Sequence, residues 1–466
     1  MKNFSLVVFG ATGDLTKRKL IPALYHLLKT NNLQDYVIVC IGRRPWNDRQ
    51  YQDYVKEFIK AHLKSFNEDI WKSLCSRIFY FESEFNDSKK ISGLSKFLSS
   101  LEKKYKIDSN RLYYMATMPE NYDAVIKAIK KFKLHLEVNG FRRIILEKPF
   151  GYDLKSAEKL NKVVMQTFKE NQVYRIDHYL GKETVGNILV FRFTNTIFDP
   201  VWNSKYIDSI QITTAEDISI EDRGNYYDKA GVVRDFVQNH IMQLLCLVTM
   251  DCTGNFGSEA IRREKVELLK AVDHKSMKFI LGQYEGYRNE KNVAPDSSTP
   301  TFIALKLFIN NSRWKNVPIY IRTGKKLREK TSLIHINFKD ERCILDDKLM
   351  LESNDLTIKI QPEQDIIIRF NAKKPGLKLD TQKVKMEFCY ECEFGIGNLE
   401  AYEKLLNDAV NGDMSLFTSW EETRLSWIVV DSLLKKKNIL FYKPSSWGPK
   451  EADALIKKDG RVWFDK

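Results

Sequence analysis

Proline and glycine are scarce in this chain of 466 residues, at 12 and 21, which excludes a collagen-like or low-complexity polymer. Long apolar runs are missing too. The best stretch, Ile241 to Met250, is interrupted by Gln243 and falls well short of the ~18 residues needed to cross a membrane. Lys2 and Leu6-Val7-Val8-Phe9 imitate a secretory signal, but Gly10 and Asp14 end the apolar run too early for one. Cysteines number only seven. An odd, scattered set in a large chain points to reduced thiols and a cytoplasmic setting rather than a disulfide framework. Cys389 and Cys392 form a C-x-x-C, but Val384 to Phe388 alternates as a strand does, and continuing that strand puts the pair on opposite faces. Neither zinc binding nor redox chemistry is therefore expected there, and no metal site is expected in the chain.

What is present is an ordinary globular composition, 43% hydrophobic and 29% charged, long enough for roughly two or three domains. The net charge of +14 is unevenly placed. Residues 1 to 175 hold 32 Lys and Arg against 19 Asp and Glu, whereas residues 176 to 466 hold 43 against 42. A basic first third suits nucleic acid, an anionic membrane surface or a phosphorylated small molecule. The lack of any aromatic-basic motif disfavours nucleic acid.

The first third alternates strand and helix. Phe4 to Phe9 reads as a short buried strand, followed by a helix that gathers Leu15, Leu20, Ile21, Leu24, Leu27 and Leu28 on one side. Strands at Val37 to Ile41, Arg77 to Phe81, Leu112 to Ala116 and Arg143 to Leu146 then alternate with helices at Tyr51 to Leu63, Leu94 to Tyr105 and Glu120 to Phe132. This rhythm predicts a parallel sheet wrapped by helices, a Rossmann-type α/β domain. Beyond about residue 190, strand-like runs succeed one another at Leu189 to Phe193, Ser209 to Thr213, Lys278 to Leu281, Phe302 to Ile309, Pro318 to Arg322, Ile334 to Phe338, Leu356 to Ile360, Ile366 to Phe370 and Val384 to Tyr390. Helices are expected at Val233 to Val248, Leu399 to Val410 and Glu422 to Leu434. The second part is thus an α+β domain with a large, mainly antiparallel sheet. The predicted division is 1–176 for the first domain and 177–466 for the second.

Gly10-Ala11-Thr12-Gly13-Asp14-Leu15 follows the first strand and opens the first helix. Glycines are required where the backbone turns sharply and a pyrophosphate must approach the N–H groups of a helix start. The pattern is a variant, with Thr16 in the third position. Lys17, Arg18 and Lys19 run against the helix dipole unless an anion is near or they are solvated. The second strand ends in Gly42-Arg43-Arg44. Arginine there, in place of the acidic residue usual with NAD, accommodates a 2′-phosphate and favours NADP. Glu147-Lys148-Pro149-Phe150-Gly151 closes a strand at the sheet edge where ligands sit, and the proline marks a fixed bend that can be cis. Lys148 is expected to point into the cleft between cofactor and substrate. In Arg175 to Glu183, helical spacing places His178 and Lys182 on one face, able to grip one phosphate dianion.

Gly10 to Leu15, Glu147 to Gly151 and Arg175 to Glu183 together resemble the glucose-6-phosphate dehydrogenase family, in order along nearly the whole chain. The resemblance implies NADP-dependent oxidation of D-glucose 6-phosphate to 6-phospho-D-glucono-1,5-lactone, the first oxidative step of the pentose phosphate pathway, by a cytoplasmic homodimer or homotetramer. It implies that His178, Tyr179 and Lys182 hold the sugar phosphate, that Glu216 and Asp235 bind sugar hydroxyls, and that Lys325 and Lys330 add substrate contacts. Lys148 is similar to the family lysine that touches both ligands. His240 matches the general base and Asp177 the carboxylate that orients it. The implied cofactor contacts are Gly10, Thr12, Gly13, Asp14, Leu15, Lys19, Arg43 or Arg44, Glu84, Phe85 and Lys148. Thr331 and Lys359 stand where relatives with a second, structural NADP site often carry Lys and Arg, so no second site is expected.

The residues read alone agree with the role of His240. Oxidation at C1 needs a proton removed as hydride leaves, and histidine, with a pKa of ~6.5, is matched to that task. Asp235 and His240 are about 140° apart around an ideal α-helix, so the orienting carboxylate has to come from elsewhere. Two alternatives stand beside this reading: another NADP-dependent sugar dehydrogenase, and a non-catalytic NADP-binding regulator of the same fold. The pairing of His178 with Lys182 disfavours an unphosphorylated substrate, and retention of Asp177 and His240 disfavours lost chemistry. Neither nucleic acid nor membrane is expected as a partner.

Overall fold

The computed structural model describes every residue except 64, 86, 253, 255–256, 341–350, 396–399, 436–437 and 466, and the side chain of residue 88. Two compact units are distinguished. The first comprises Met1–Gly181 with Phe256–Arg262 and Leu399–Arg424, and the second Lys182–Asn255, Arg263–Asn398 and Leu425–Lys466. Strands are numbered along the chain.

In the first unit, β1 (Phe4–Phe9), β2 (Tyr36–Gly42), β3 (Ile78–Glu82), β4 (Arg111–Met115), β5 (Arg142–Leu146) and β6 (Val173–Ile176) form one parallel sheet. Its order is β6-β5-β4-β1-β2-β3, with a two-residue strand, Phe417–Thr418, antiparallel to β6. All residues of β1 and β2 are buried, as a parallel sheet covered on both faces requires. Helices between the strands close the core, with Leu94, Leu98, Val125 and Ile129 packing over Val7, Val39, Tyr113 and Ile144. Strand order reverses direction between β1 and β4, the place where doubly wound sheets bind nucleotides.

The second unit carries a nine-stranded sheet. β7 (Ile207–Ala215), β8 (Lys278–Tyr284), β9 (Phe302–Leu307), β10 (Ile319–Gly324), β11 (Thr331–Phe338), β12 (Asp355–Gln361), β13 (Asp365–Lys373), β14 (Thr381–Cys389) and Ile439–Tyr442 (β16, after β15 at Phe417–Thr418) are its members. They run in the order β14-β13-β12-β11-β7-β10-β9-β8-β16. Pairing is antiparallel except for β7 with β10 and β8 with β16. The last residues are fastened across this sheet. Arg461 pairs with Asp208 at 2.5 Å, Arg322 with Asp465 at 2.6 Å, Phe464 donates its N–H to Gln211 at 2.8 Å, and its ring stacks on His335 at 3.9 Å.

Three expectations change. Leu189 to Phe193 is not a strand but part of a helix, Glu183–Thr194; a short apolar run does not by itself distinguish the two states. The span from Asp177 to Lys182 is not helical, because β6 ends at Ile176 and the next helix starts at Glu183, so His178 and Lys182 share no helix face. Cys389 and Cys392 do not lie on opposite faces of a strand. β14 ends at Cys389, a short helix follows over Tyr390–Phe394, and the two sulfurs are joined in a disulfide. The expected helix at 399–410 is Ala401–Asn411, with Leu399 outside the described residues.

Burial of Arg192 explains where the second unit's central helix stops. That helix, Met242–Thr249, continues a π-helical segment, Val233–Ile241. Arg192, fully buried, donates to the carbonyls of Leu247 and Met250 at 2.7 and 2.9 Å, while the indole N–H groups of Trp202 and Trp314 reach those of Val248 and Thr249 at 2.7 and 2.6 Å. Carbonyls at a helix C-terminus have no partner within the helix, and here three long side chains supply them. Desolvation pulls the Arg192 guanidinium down to about 9. Arg192→Met should leave those carbonyls unsatisfied and cost about 2–4 kcal/mol. A lowered thermal midpoint checks this, and an unchanged midpoint would contradict it.

Candidate active site

The turn after β1 belongs to the first unit. Gly10 and Ala11 donate their N–H groups to Ile41 O at the end of β2, at 3.1 and 2.9 Å. Gly10 has φ +114°, and a Cβ there would collide with the carbonyl of Ala116 just past β4. Only glycine satisfies both the dihedral and the clearance. Thr16 Oγ1 returns to Gly10 O at 2.9 Å, tying the start of the helical segment to the turn. The backbone of Gly10 to Gly13 is thereby brought to the switch point with its side-chain space empty, a cradle of the kind a pyrophosphate needs. Asp14 lies 3.7 Å from both Lys17 and Arg18, which accounts for two of the basic residues set against the helix dipole, and Lys19 is exposed. Gly10→Ala should destabilise the unit by about 1–3 kcal/mol through the forbidden dihedral and raise KM for the dinucleotide. Calorimetry and steady-state kinetics check both effects; wild-type values would overturn the cradle.

Arg43 and Arg44, both exposed, follow directly on Gly42 at the end of β2. The guanidinium of Arg44 lies 4.7 Å from the Trp46 ring and 5.7 Å from Tyr54, and Tyr80 Oη donates to its carbonyl at 2.9 Å. This aromatic floor, Trp46, Tyr54 and Tyr80, was not anticipated; the Pro45-Trp46 that follows the arginine pair was the signal in the sequence. Glu84 is exposed beyond β3, and Phe85 packs edge-on against Phe9 at 6.1 Å.

Glu147, just past the end of β5, sits in a ring of phenols. Tyr114 Oη donates to Glu147 Oε1 at 2.6 Å, Tyr122 Oη lies 3.1 Å from its carbonyl, and Tyr402, from the returning segment of the same unit, hydrogen-bonds its carboxylate. Burial pushes the Glu147 carboxyl up to about 6. Lys148 follows, joined to Pro149 by a cis bond. Asp177, at the end of β6, is buried and accepts the N–H of Tyr179 at 2.9 Å; His178 is half-buried and Tyr179 buried.

The second unit assembles the remaining candidates. Because β7 and β10 are parallel with Ala215 opposite Gly324, the next residues of each, Glu216 and Lys325, emerge side by side and form an ion pair. Lys325 is buried, its ammonium 5.6 Å from the Tyr227 ring and 5.9 Å from Phe236. Asp235, also buried, accepts from Tyr226 Oη at 3.3 Å. Burial, then the carboxylate of Asp235, lifts both Tyr226 and Tyr227 above the usual phenol range. His240 is buried with its ring 5.5 Å from Phe236, edge to face. Asp235 and His240 lie in the π-helical segment, where i→i+5 bonding stacks residues five apart. The separation expected from an ideal α-helix therefore does not hold. Lys330 is exposed and stands outside this buried cluster, whereas Lys182, at the start of Glu183–Thr194, donates to Gln361 Oε1.

A doubly wound unit with a glycine cradle and an arginine pair, in a chain that also buries acids, a lysine and a histidine, defines a dinucleotide-dependent oxidoreductase. The model of the glucose-6-phosphate dehydrogenase NAD binding domain matches residues 7–187 and that of the C-terminal domain residues 189–464. Glucose-6-phosphate 1-dehydrogenase of Chlamydia muridarum is 42% identical, the match covering 98% of this chain and 96% of the relative. The Bacillus subtilis protein of that name is 40% identical over 99% and 98%. A solved glucose-6-phosphate dehydrogenase in complex with glucose-6-phosphate superposes with TM-score 0.92 at 32% identity, over 100% of this chain and 99% of that one. The chain belongs to the glucose-6-phosphate dehydrogenase family.

Proposed function

We propose that this protein oxidises D-glucose 6-phosphate at C1 to 6-phospho-D-glucono-1,5-lactone, and that its two parts divide the task, residues 1–176 holding NADP and residues 177–466 the sugar phosphate. The observation that carries the reading is the buried Asp235, His240 and Lys325 with the half-buried Glu216 paired to that lysine, on a chain matched end to end by relatives of that activity. A buried cation paired with acids suits a polyhydroxylated ligand, whose hydroxyls both donate and accept.

The glycine cradle at Gly10 to Gly13, with Thr12, Asp14, Leu15, Lys19, Glu84 and Phe85 around it, fits a dinucleotide, and Arg43 with Arg44 supplies the charge a 2′-phosphate requires. NADP, when bound, supplies the hydride acceptor. His178, Tyr179 and Lys182 bind the substrate phosphate, with charge-assisted hydrogen bonds fixing the sugar at the end remote from C1. Glu216, Asp235 and Lys325 orient the hydroxyls, with Lys330 at the margin, and Lys148 contacts both ligands. His240 takes the proton from the C1 hydroxyl oxygen, and Asp177 holds the imidazole in the orientation for it. The protein acts in the cytoplasm as a homodimer or homotetramer.

NADPH formation with glucose 6-phosphate, set against glucose and against NAD, tests the reading. Turnover is expected with the sugar phosphate and NADP. Turnover with glucose alone would favour another sugar dehydrogenase, and none with any sugar phosphate would leave only a dinucleotide-binding protein. His240→Asn should lower kcat at least ~10²-fold with near-normal substrate binding; an unchanged kcat would remove His240 from the role. Lys182→Ala should raise KM for glucose 6-phosphate about 10-fold or more through the lost phosphate contact, and an unaltered KM would count against it.

A further inference from the structure

We propose that Cys389 and Cys392 form a thiol–disulfide exchange site whose oxidised state fixes the turn that holds Lys182, so that reduction weakens binding of the substrate phosphate. The catalytic machinery makes no use of this pair. The disulfide closes the end of β14, an edge strand of the second unit's sheet, with Cys392 exposed and Cys389 half-buried. Cys40 and Cys246, by contrast, are buried free thiols.

Between the two sulfurs sits Tyr390, which connects them to the substrate side of the unit. Its ring packs between Phe388 at 4.9 Å and Phe394 at 5.7 Å, and its phenol feels the charge of the Glu183 carboxylate. Its N–H donates to Gln364 O at 3.1 Å. Gln364 belongs to the four-residue turn from β12 to β13 that begins at Gln361. The Gln361 amide accepts from Lys182 Nζ and donates to Ser332 Oγ at 3.0 Å. The disulfide therefore braces one end of a short turn whose other end positions Lys182. Once the sulfurs part, Tyr390 loses the covalent closure of its turn and keeps its hydrogen bond to Gln364 and its aromatic contacts.

The exchange balances with a dithiol as co-reactant. A thiolate of the reductant attacks the exposed Cys392 Sγ, the S–S bond breaks, and Cys389 leaves as a thiolate that takes up a proton. The second thiol of the reductant then displaces Cys392 from the mixed disulfide. Two electrons and two protons pass to the protein, and the reductant leaves oxidised.

The link to substrate binding rests on the role proposed for Lys182, and the experiment separates the two. The full-length protein is equilibrated with dithiothreitol or with glutathione buffers of varied ratio, alkylated, and mapped by mass spectrometry at residues 389 and 392, with kinetics recorded in parallel. Reversible conversion is expected, with KM for glucose 6-phosphate raised about 3-fold on reduction while kcat and KM for NADP stay constant, a change of the size a local coupling produces. Cys392→Ser should show the raised KM of the dithiol form in every buffer. A disulfide that native protein retains in dithiothreitol overturns the exchange site, and reversible reduction without a change in KM overturns the coupling. If Lys182→Ala binds substrate normally, the phosphate role of Lys182 fails, and with it the coupling, while the alkylation map still decides the exchange site.

Discussion

In the first unit the turn after β1 depends on one close approach, that of the Gly10 backbone to the Ala116 carbonyl where β1 and β4 end side by side. A side chain at either the dihedral or the gap would push the strands apart at the point where the sheet reverses its order. Because the turn is pinned to β2 through Ile41 and to the following segment through Thr16, the clearance is fixed by the sheet itself and not by a mobile loop. Binding a pyrophosphate then needs little further ordering, and that lowers the entropic cost of association.

A comparable constraint shapes the second unit, through different means. Lys325 and Glu216 meet because two parallel strands happen to end in register, and such a pair out of water is costly unless it is well paired and supported. The support comes from aromatic faces, Tyr227 and Phe236, over which the Lys325 ammonium lies. The charges are therefore held in place before any ligand arrives. His240 shares this setting through Phe236, on a helical segment wound with i→i+5 bonds.

Much of this was legible in the sequence where pattern and chemistry coincide. The alternation of apolar runs and amphipathic stretches carried the parallel sheet, since β1 and β2 are buried on both faces and read as near-continuous hydrophobic runs. Gly10 and the Glu147-Lys148-Pro149 bend were readable because few residues other than glycine and proline tolerate such backbone. Three things were not. Leu189 to Phe193 has the composition of a strand and the setting of a helix, decided by packing over twelve residues and not by the five. The π-helical winding at Val233–Ile241 leaves no local signature, so angular spacing computed for an α-helix misplaced Asp235 relative to His240. The Cys389–Cys392 link was missed because the end of a strand is fixed by its partner's length, which the residues of that strand do not state. The basic first third, for its part, pointed toward the cofactor phosphate and said nothing of Lys325 or Lys182, which lie in the near-neutral remainder.

The fastening of the final residues has a consequence for how the protein is made. Asp208, at the start of the second unit's sheet, waits for Arg461, 253 positions later, and Arg322 waits for Asp465. The first unit is in a similar position, since Arg143 of β5 donates to the carbonyls of Ala409 and Val410 at 2.7 Å and the strand at Phe417–Thr418 completes its sheet edge. Contacts of such long range are slow to form, and at a ribosome adding about 5–20 residues per second each of these closing pieces emerges well after the strand it fastens. Through that interval the nascent chain carries two unfinished sheets whose open edges must be kept from other partners.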